Sequence, residues 1–409
     1  MGTDARWTNW FGNVSVMLDA VTVVHDEDEI VSRVRHAVES GTRVRAHGAG
    51  HSNTSIVTSG GTLLDLRPMA GLRSIDRDAG TATFGAATTV ASIGPLLWAE
   101  GLSLANQGDT NAQFLAGAVS TATHGTGVEL GSFSGSVVAA RLITGAGQVR
   151  EIDEREPELL RAVRTSLGTL GILSEITVRV LPAFNLSLEF EDLSWDAALA
   201  RWDEEILRNR HFTIYWCPDG TNEWIPGGAA GGEGSERVVF KTMNPSPADD
   251  GTVGTKGSGT FVAPAWQVWP DDYLPDYHEF EYMIPIEYGK EAASRIRDLM
   301  RREHPDEVLP VEIRFCGPDD AMLSPLAGRQ SCVISVSGRM GADNDRYFAD
   351  CDRILADYGA RPHWGKAHRL DVDRLRAVYP EFDRFLEIRR QLDPAGAFLT
   401  DAALELFGL

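Results

Sequence analysis

The stretch "VRAHGAGHSNTS", residues 44–55, decides how this chain is read. It closes the longer run "VTVVHDEDEIVSRVRHAVESGTRVRAHG", whose pattern is regular. Val21–Val24 is a β-branched strand. Asp26 or Asp28 can cap a helix whose apolar face is Ile30, Val34 and Val38, and Gly41 stands where a C-cap glycine belongs. Thr42–Ala46 is then a second strand. Strand–helix–strand predicts parallel pairing and a right-handed crossover. The glycine loop that leaves this unit resembles a nucleotide-binding turn, yet it carries His51, where such a turn needs only backbone.

Three readings of the loop compete. A dinucleotide fingerprint needs G-x-G-x-x-G and then a helix. Here the third glycine is Asn53, and "SNTSIVTSGGT" is too rich in β-branched and turn residues to be helical. Asp65, about 20 residues on, stands where a ribose-binding acid would and keeps this reading open. His47 and His51 have helical zinc spacing, but the Gly-Ala-Gly between them opposes a helix. A lone loop histidine that only hydrogen-bonds is the plain alternative.

Other loops share the chemistry. Small and hydroxylated residues cluster at Gly85–Thr89, Gly108–Gly127 and Gly168–Gly171. Several such loops can offer many N–H and hydroxyl donors to one extended anion, which favours a pyrophosphate-containing cofactor.

Composition bounds the rest. The chain has 409 residues, 43% hydrophobic and 24% charged, as expected of a globular protein with more than one domain. A formal charge of −21 argues against nucleic acid and against an anionic membrane surface. The four cysteines, Cys217, Cys316, Cys332 and Cys351, form no C-x-x-C pair and fit a reducing cytoplasm. No secretion signal and no membrane span is expected.

Further along, Pro95 suits the first turn of a helix through Leu96–Glu100. "VVAARLITGAGQVREI" reads as a hairpin, and "PELLRAVRTSLGTLGILSEITVRVLP" as helix, glycine turn and strand. Composition changes near Pro182. Beyond it come aromatic strands ("HFTIYWCP", "HEFEYMIPI") and two glycine-rich insertions, 225–236 and 249–260, which read as surface loops suited to be lids. A helix is expected from about Glu381 to Gln391. In "VEIRF", strand alternation puts Glu312 and Arg314 on one face.

Taken in order, "NWFGN" (9–13), "RAHGAGHSN", "AGAVSTATHGTG" (116–127), "GTLGILSEITVRVLP", "VEIRF" (311–315), "RPHWGKAH" (361–368) and "LDPAGAF" (392–398) resemble the vanillyl-alcohol oxidase type of FAD-linked oxidoreductase. Within it they resemble the aldonolactone oxidase and alditol oxidase branch. The resemblance implies an α+β fold: a two-part FAD-binding domain of PCMH-like type (1–182), a cap domain built on an antiparallel sheet (183–355), and a C-terminal segment (356–409) returning to the active site.

It also implies roles. His51 matches the position that bonds covalently to the 8α-methyl of FAD, with His47, Gly48, Ala49, Gly50, Ser52 and Asn53 around it. Ser120, Thr121, His124, Gly125 and Gly127, with Ala118, match a second cofactor loop. Gly168, Gly171 and Ile172 match a third. Glu312, Arg314 and Lys366 are the implied catalytic residues, and together with Ser337 and His368 they would hold the substrate. Trp364 reads as a packing residue, and His363 can be one.

Arginine stays charged when buried, so it suits the anionic reduced flavin. Lysine can lower the pKa of a substrate hydroxyl, or take its proton if its own pKa is depressed. Gly108 matches a position that governs oxygen access. Ala118 stands where the alditol-oxidising members carry serine, and Tyr215 and Trp216 depart from the branch's usual cap pattern. The "GKAH" run with His368 looks more like the lactone-oxidising members. The expectation is a metal-free FAD enzyme, a monomer or small homo-oligomer, that oxidises a small sugar-like alcohol with O2 as acceptor; the alternatives are a dehydrogenase passing electrons to another acceptor and an oxidase of a larger glycoside.

Overall fold

The computed structural model describes residues 5–57, 60–219, 236–247, 252–256, 258–271 and 277–409. The insertion expected as a loop at 225–236 falls almost wholly outside these residues, whereas the one at 249–260 is not a loop: it supplies the paired strands Val253–Thr255 and Ser258–Pro264.

The opening unit forms as its pattern requires. Asp26 accepts the Glu29 N–H at 2.9 Å and starts the helix Glu27–Ser40, which ends at Gly41 with φ of 64°. Ile30, Val34 and Ala37 face inward. The flanking strands Ala20–Val23 and Val44–Ala46 run parallel, but Thr62–Asp65 lies between them and pairs with both. A helix about 10 Å wide spans about two strand spacings, so the crossover leaves room for that third strand.

A five-stranded antiparallel sheet follows, in the order Val149–Asp153, Val137–Ile143, Ile172–Arg179, Thr81–Gly85, Leu72–Asp76. The expected helix at Leu96 starts earlier. Thr89 caps it by accepting the Ser92 N–H, and it spans Val90–Ala99 with Pro95 in its interior. Ala91, whose carbonyl loses its i+4 donor, is exposed, so water can replace that bond.

The third layer is a sheet of nine strands among the described residues. Its order is Val253–Thr255, Ser258–Pro264, Asn185–Leu193, Arg237–Ser246, His211–Cys217, Val311–Cys316, Ser331–Arg339, Tyr277–Pro285, Arg361–Pro362. Alternation gives it two unlike faces. Phe212, Ile214, Trp216, Ile313, Phe315, Ile334, Phe280 and Tyr282 pack in the main core with Trp202 of the helix Trp195–Arg208 and Ile296 of the helix Gly289–Glu303. The opposite face carries Tyr215, Glu312, Ser335 and Glu281 in one cross-strand row, followed by Ser337 beside Glu279. A polar row across four strands otherwise built for burial is where a site belongs.

The chain's end ties the layers together. Arg361–Pro362 joins the large sheet beside Tyr277–Pro285. The helix Phe382–Leu392 follows, one residue beyond the span expected from the sequence. Ala397 and Phe398 then pack into a small core with Ile30 and Val34.

Candidate active site

Two cavities meet at His51. One is lined by the glycine loop from Arg45 to Ser52, by Gly117, Ser120 and Thr121, by Gly168, Gly171 and Ile172, and by Phe398. The other lies under the polar face of the large sheet. His51, Ser52, Gln113 and Thr121 belong to both walls.

The sequence explains the loop's shape. Asn9 donates to Ser52 O at 2.9 Å and Asn13 to Asn53 O at 2.8 Å, so "NWFGN" acts as a brace. The Trp10 ring stacks on His51 at 4.8 Å with planes 30° apart. Burial lowers the His51 pKa, leaving a neutral imidazole with a free lone pair.

The first cavity suits a pyrophosphate. A Cβ at Gly48 or Gly117 would meet nothing within 4 Å. His47 accepts the Trp7 indole N–H at Nε2, so its proton sits on Nδ1, which is buried without a partner. An anion in the cavity would satisfy that N–H. Sequence reasoning missed Arg45, which lines the same cavity. Its guanidinium donates to the carbonyls of Val57, Leu167, Gly168 and Phe398, joining three chain segments. Burial lowers its pKa to about 10.

Several expected cofactor residues lie elsewhere. Asn53 lines neither cavity. Its N–H donates to Gly365 O at 2.8 Å and its amide to Glu279 O, so it rivets the glycine loop to the "HWGK" turn. Ala118 is buried in the main core. Gly127 donates to Phe315 O, carrying the second loop onto the large sheet. Gly125 accepts from His124 Nδ1 at 2.8 Å and faces a separate groove.

The second cavity holds Glu312, Arg314, Lys366 and Ser337, the residues expected at the substrate; His124, expected in a cofactor loop, and Gly108, expected at the oxygen entrance, line it too. It does not hold His368, which lies half-buried against Trp364 with ring centroids 5.8 Å apart, its pKa lowered by desolvation to about 4. It adds Asp109, Tyr215, Tyr277, Glu279, Ser335 and His363.

Glu281, behind this wall, is the hub. It accepts from Arg314 Nη2 at 2.6 Å and Lys366 Nζ at 2.9 Å, and lies 3.1 Å from His124 Nε2. Burial opposes its charge, but Lys366, Arg314 and His124 prevail and hold its pKa well below the usual carboxylate range. Lys366 also donates to Glu279 at 2.5 Å. Burial lowers the Lys366 pKa, yet Glu279 and Glu281 outweigh it and the net shift is upward. The two acids thus favour the charged form of Lys366, which suits a hydrogen-bond donor better than a proton acceptor. Glu312 is the contrary case. Burial raises it to about 7, only partly offset by Arg314 at 3.5 Å. The signal for Glu279 and Glu281 was the alternation in "HEFEYMIP", two acids on one face of an apolar strand.

His124, Glu281 and His363 stand within metal-ligating distance of one another. His363 Nδ1 accepts the Gly365 N–H at 3.0 Å, which leaves its proton on Nε2. Nε2 is then an N–H donor with no lone pair for a metal.

Known proteins match this arrangement. Residues 18–153 match the FAD binding domain family and residues 234–406 the D-arabinono-1,4-lactone oxidase family. An L-gulono-1,4-lactone dehydrogenase of Mycobacterium tuberculosis is 33% identical over 98% of this chain and 99% of its own. The L-gulonolactone oxidase of Mus musculus is 25% identical over 98% and 97%. An alditol oxidase of a Streptomyces species is 28% identical over 96% of each. The cholesterol oxidase structure from Brevibacterium sterolicum superposes with a TM-score of 0.81 at 15% identity, over 98% of this chain and 96% of that one, which concerns the fold alone. The chain is a member of the aldonolactone oxidase and alditol oxidase branch of the vanillyl-alcohol oxidase type, the FAD-dependent oxidoreductases.

Proposed function

We propose that this enzyme oxidises a secondary or primary hydroxyl of a neutral sugar-derived substrate, an aldonolactone or a polyol, and that O2 is the acceptor. In balance, one alcohol and one O2 give one carbonyl compound and one hydrogen peroxide. The carbon gives up a hydride, its hydroxyl gives up a proton, and the C=O bond forms. The observation that carries this reading is the junction at His51, where the anion-suited cavity opens onto a cavity walled by Glu312, Arg314 and Lys366. FAD, when bound, supplies the hydride acceptor and passes the electrons on.

The protein's part follows from its side chains. Lys366 and Arg314 donate to the substrate oxygen and stabilise the charge that develops there. Glu312, with its raised pKa, receives the hydroxyl proton as its carboxylate form. Ser337 and Glu279 orient the remaining hydroxyls. His51 tethers the cofactor through a ring nitrogen, and its neutral imidazole supports that role. The sheet memberships support a FAD-binding domain over 1–182, a cap over 183–355 and a returning segment over 356–409. Four free, buried cysteines support a cytoplasmic setting.

The acceptor has a second reading, because the Mycobacterium tuberculosis relative is named a dehydrogenase. Gly108 favours the oxidase. It lines the substrate cavity, and a Cβ there would come within 3.1 Å of Thr123 and of His124 O. Glycine keeps that space open. An oxygen electrode with L-gulono-1,4-lactone, D-arabinono-1,4-lactone and an alditol tests the reading. Oxygen uptake matched by peroxide is expected. Turnover with an artificial electron acceptor and no oxygen uptake would replace the oxidase with the dehydrogenase.

A further inference from the structure

The wall around Arg314 contains an acid that none of the expected catalytic roles uses. Asp109 lies in the loop "NQGDT", next to Gly108, and lines the substrate cavity. Its Oδ2 accepts from Arg314 Nη1 at 2.9 Å, while Glu281 takes Nη2 at 2.6 Å. The two carboxylates hold different nitrogens, so the guanidinium is gripped at both tips and its plane is fixed. Asp109 is itself held. Its carbonyl accepts the Asp271 N–H at 3.0 Å, and its Oδ1 lies 3.8 Å from Lys241 Nζ. Lys241 is buried and bonded to Asp271 at 2.5 Å. The grip thus reaches to Lys241 on the strand Arg237–Ser246, two places along the sheet from Val311–Cys316.

We infer that Asp109 is a positioning residue for Arg314, one that also sets the charge felt by Glu312 and by the flavin edge of the cavity. The inference rests on the FAD reading above. A loop that merely needed anchoring would be served by the Asp271 bond alone. The side chain instead points into the cavity and onto the one arginine placed there.

The consequence for Glu312 follows from what faces it. From its own strand comes Arg314. From the neighbouring elements come Tyr215, Tyr277 with Glu279, Lys366, and Asp109 with Lys241 behind it. Burial is the largest influence raising the Glu312 pKa; Arg314 and Lys366 lower it, while Asp109 and Glu279 raise it. Removing the Asp109 charge therefore makes Glu312 easier to ionise and leaves the cavity more positive.

The test is Asp109→Asn and Asp109→Glu in the flavin-loaded enzyme, read by flavin absorbance. Sulfite, a small anion that adds to oxidised flavin, is the probe. Asp109→Asn should bind sulfite about tenfold more tightly, because one negative charge is removed from the cavity wall. Its activity limb near neutrality should move down by roughly half to one pH unit. Asp109→Glu keeps the charge but displaces the guanidinium. It should leave sulfite affinity and the pH limb in place while kcat falls and KM changes less. A lower Tm with both readouts unchanged in Asp109→Asn would overturn the inference. If Asp109→Asn does not fold, a pH limb or sulfite affinity shifted in Asp109→Glu would overturn it as well. A protein that takes up no flavin would sink the functional reading beneath it, an outcome distinct from flavin bound with no shift.

Discussion

Glu281 and Lys366 form a buried pair at 2.9 Å in which the acid has no exposure and the ammonium opens onto the substrate cavity. The pair is asymmetric by construction: one member faces the core, the other the chemistry. Its worth lies in keeping an ammonium charged and aimed, since buried ion pairs add little net stability but cost much when broken.

Glu281→Gln should therefore be severe. It removes the one buried charge that Lys366, Arg314 and His124 share, leaving Lys366 only Glu279 and Arg314 only Asp109 as close carboxylates, and a loss of about 3–5 kcal/mol is expected. Denaturant unfolding measures it. Unchanged stability would mean that water reaches the pair.

The raised pKa of Glu312 predicts the pH profile. An acid whose folded pKa lies above its unfolded value favours the fold at low pH, and that contribution is lost as pH rises from about 4.5 through about 7. Activity runs the other way if the carboxylate takes the proton. The rate should climb between about pH 6 and 8, and Glu312→Gln should remove this limb along with most of the activity, by about 10²–10⁴-fold. A limb retained in the variant would assign it to another group.

His51→Ala should release the cofactor from the protein without unfolding it, since the ring contributes a stack on Trp10 and little else to the core. Acid precipitation of wild type should give a yellow pellet and that of the variant a colourless one. Flavin retained in the variant pellet would refute the tether.

Arg45→Met leaves four carbonyls without their donor. Each buried acceptor left unpaired costs about 1–3 kcal/mol before relaxation. Weakened flavin retention on desalting and a lower unfolding midpoint are expected together. Full retention would make Arg45 a packing residue only.

Gly108→Val places a branched side chain against Thr123 and His124 O. Reoxidation by O2 should slow by about tenfold or more, a barrier of about 1.4 kcal/mol, while turnover with an artificial acceptor persists. Stopped-flow reoxidation distinguishes the two, and equal slowing with both acceptors would argue for a distorted loop.

Much of the architecture was legible because it rests on local rules. Asp26, Gly41 and the Ile30–Val34 spacing specify a helix between parallel strands, and alternation in "VEIRF" puts Glu312 and Arg314 side by side. The strand inserted between the parallel pair was not legible, since it is a fact of sheet order. Asn53 was misassigned for a similar reason: beside glycines it resembles a ligand-binding residue, yet its partners lie at positions 279 and 365. Glu281 and Asp109 escaped notice because each draws its meaning from cations distant in sequence. His368 shows the converse, a motif residue that the turn places against Trp364.

The rivet at Asn53 has a mechanical consequence. Its two donors grip Gly365 O and Glu279 O, the backbone on either side of the ammonium and its acid. The segment bearing the imidazole and the segment bearing the ammonium are thereby one stiff bracket. The spacing between the His51 imidazole and the Lys366 ammonium is thereby set by main-chain contacts, and a substrate lying between them meets a gap fixed by the backbone.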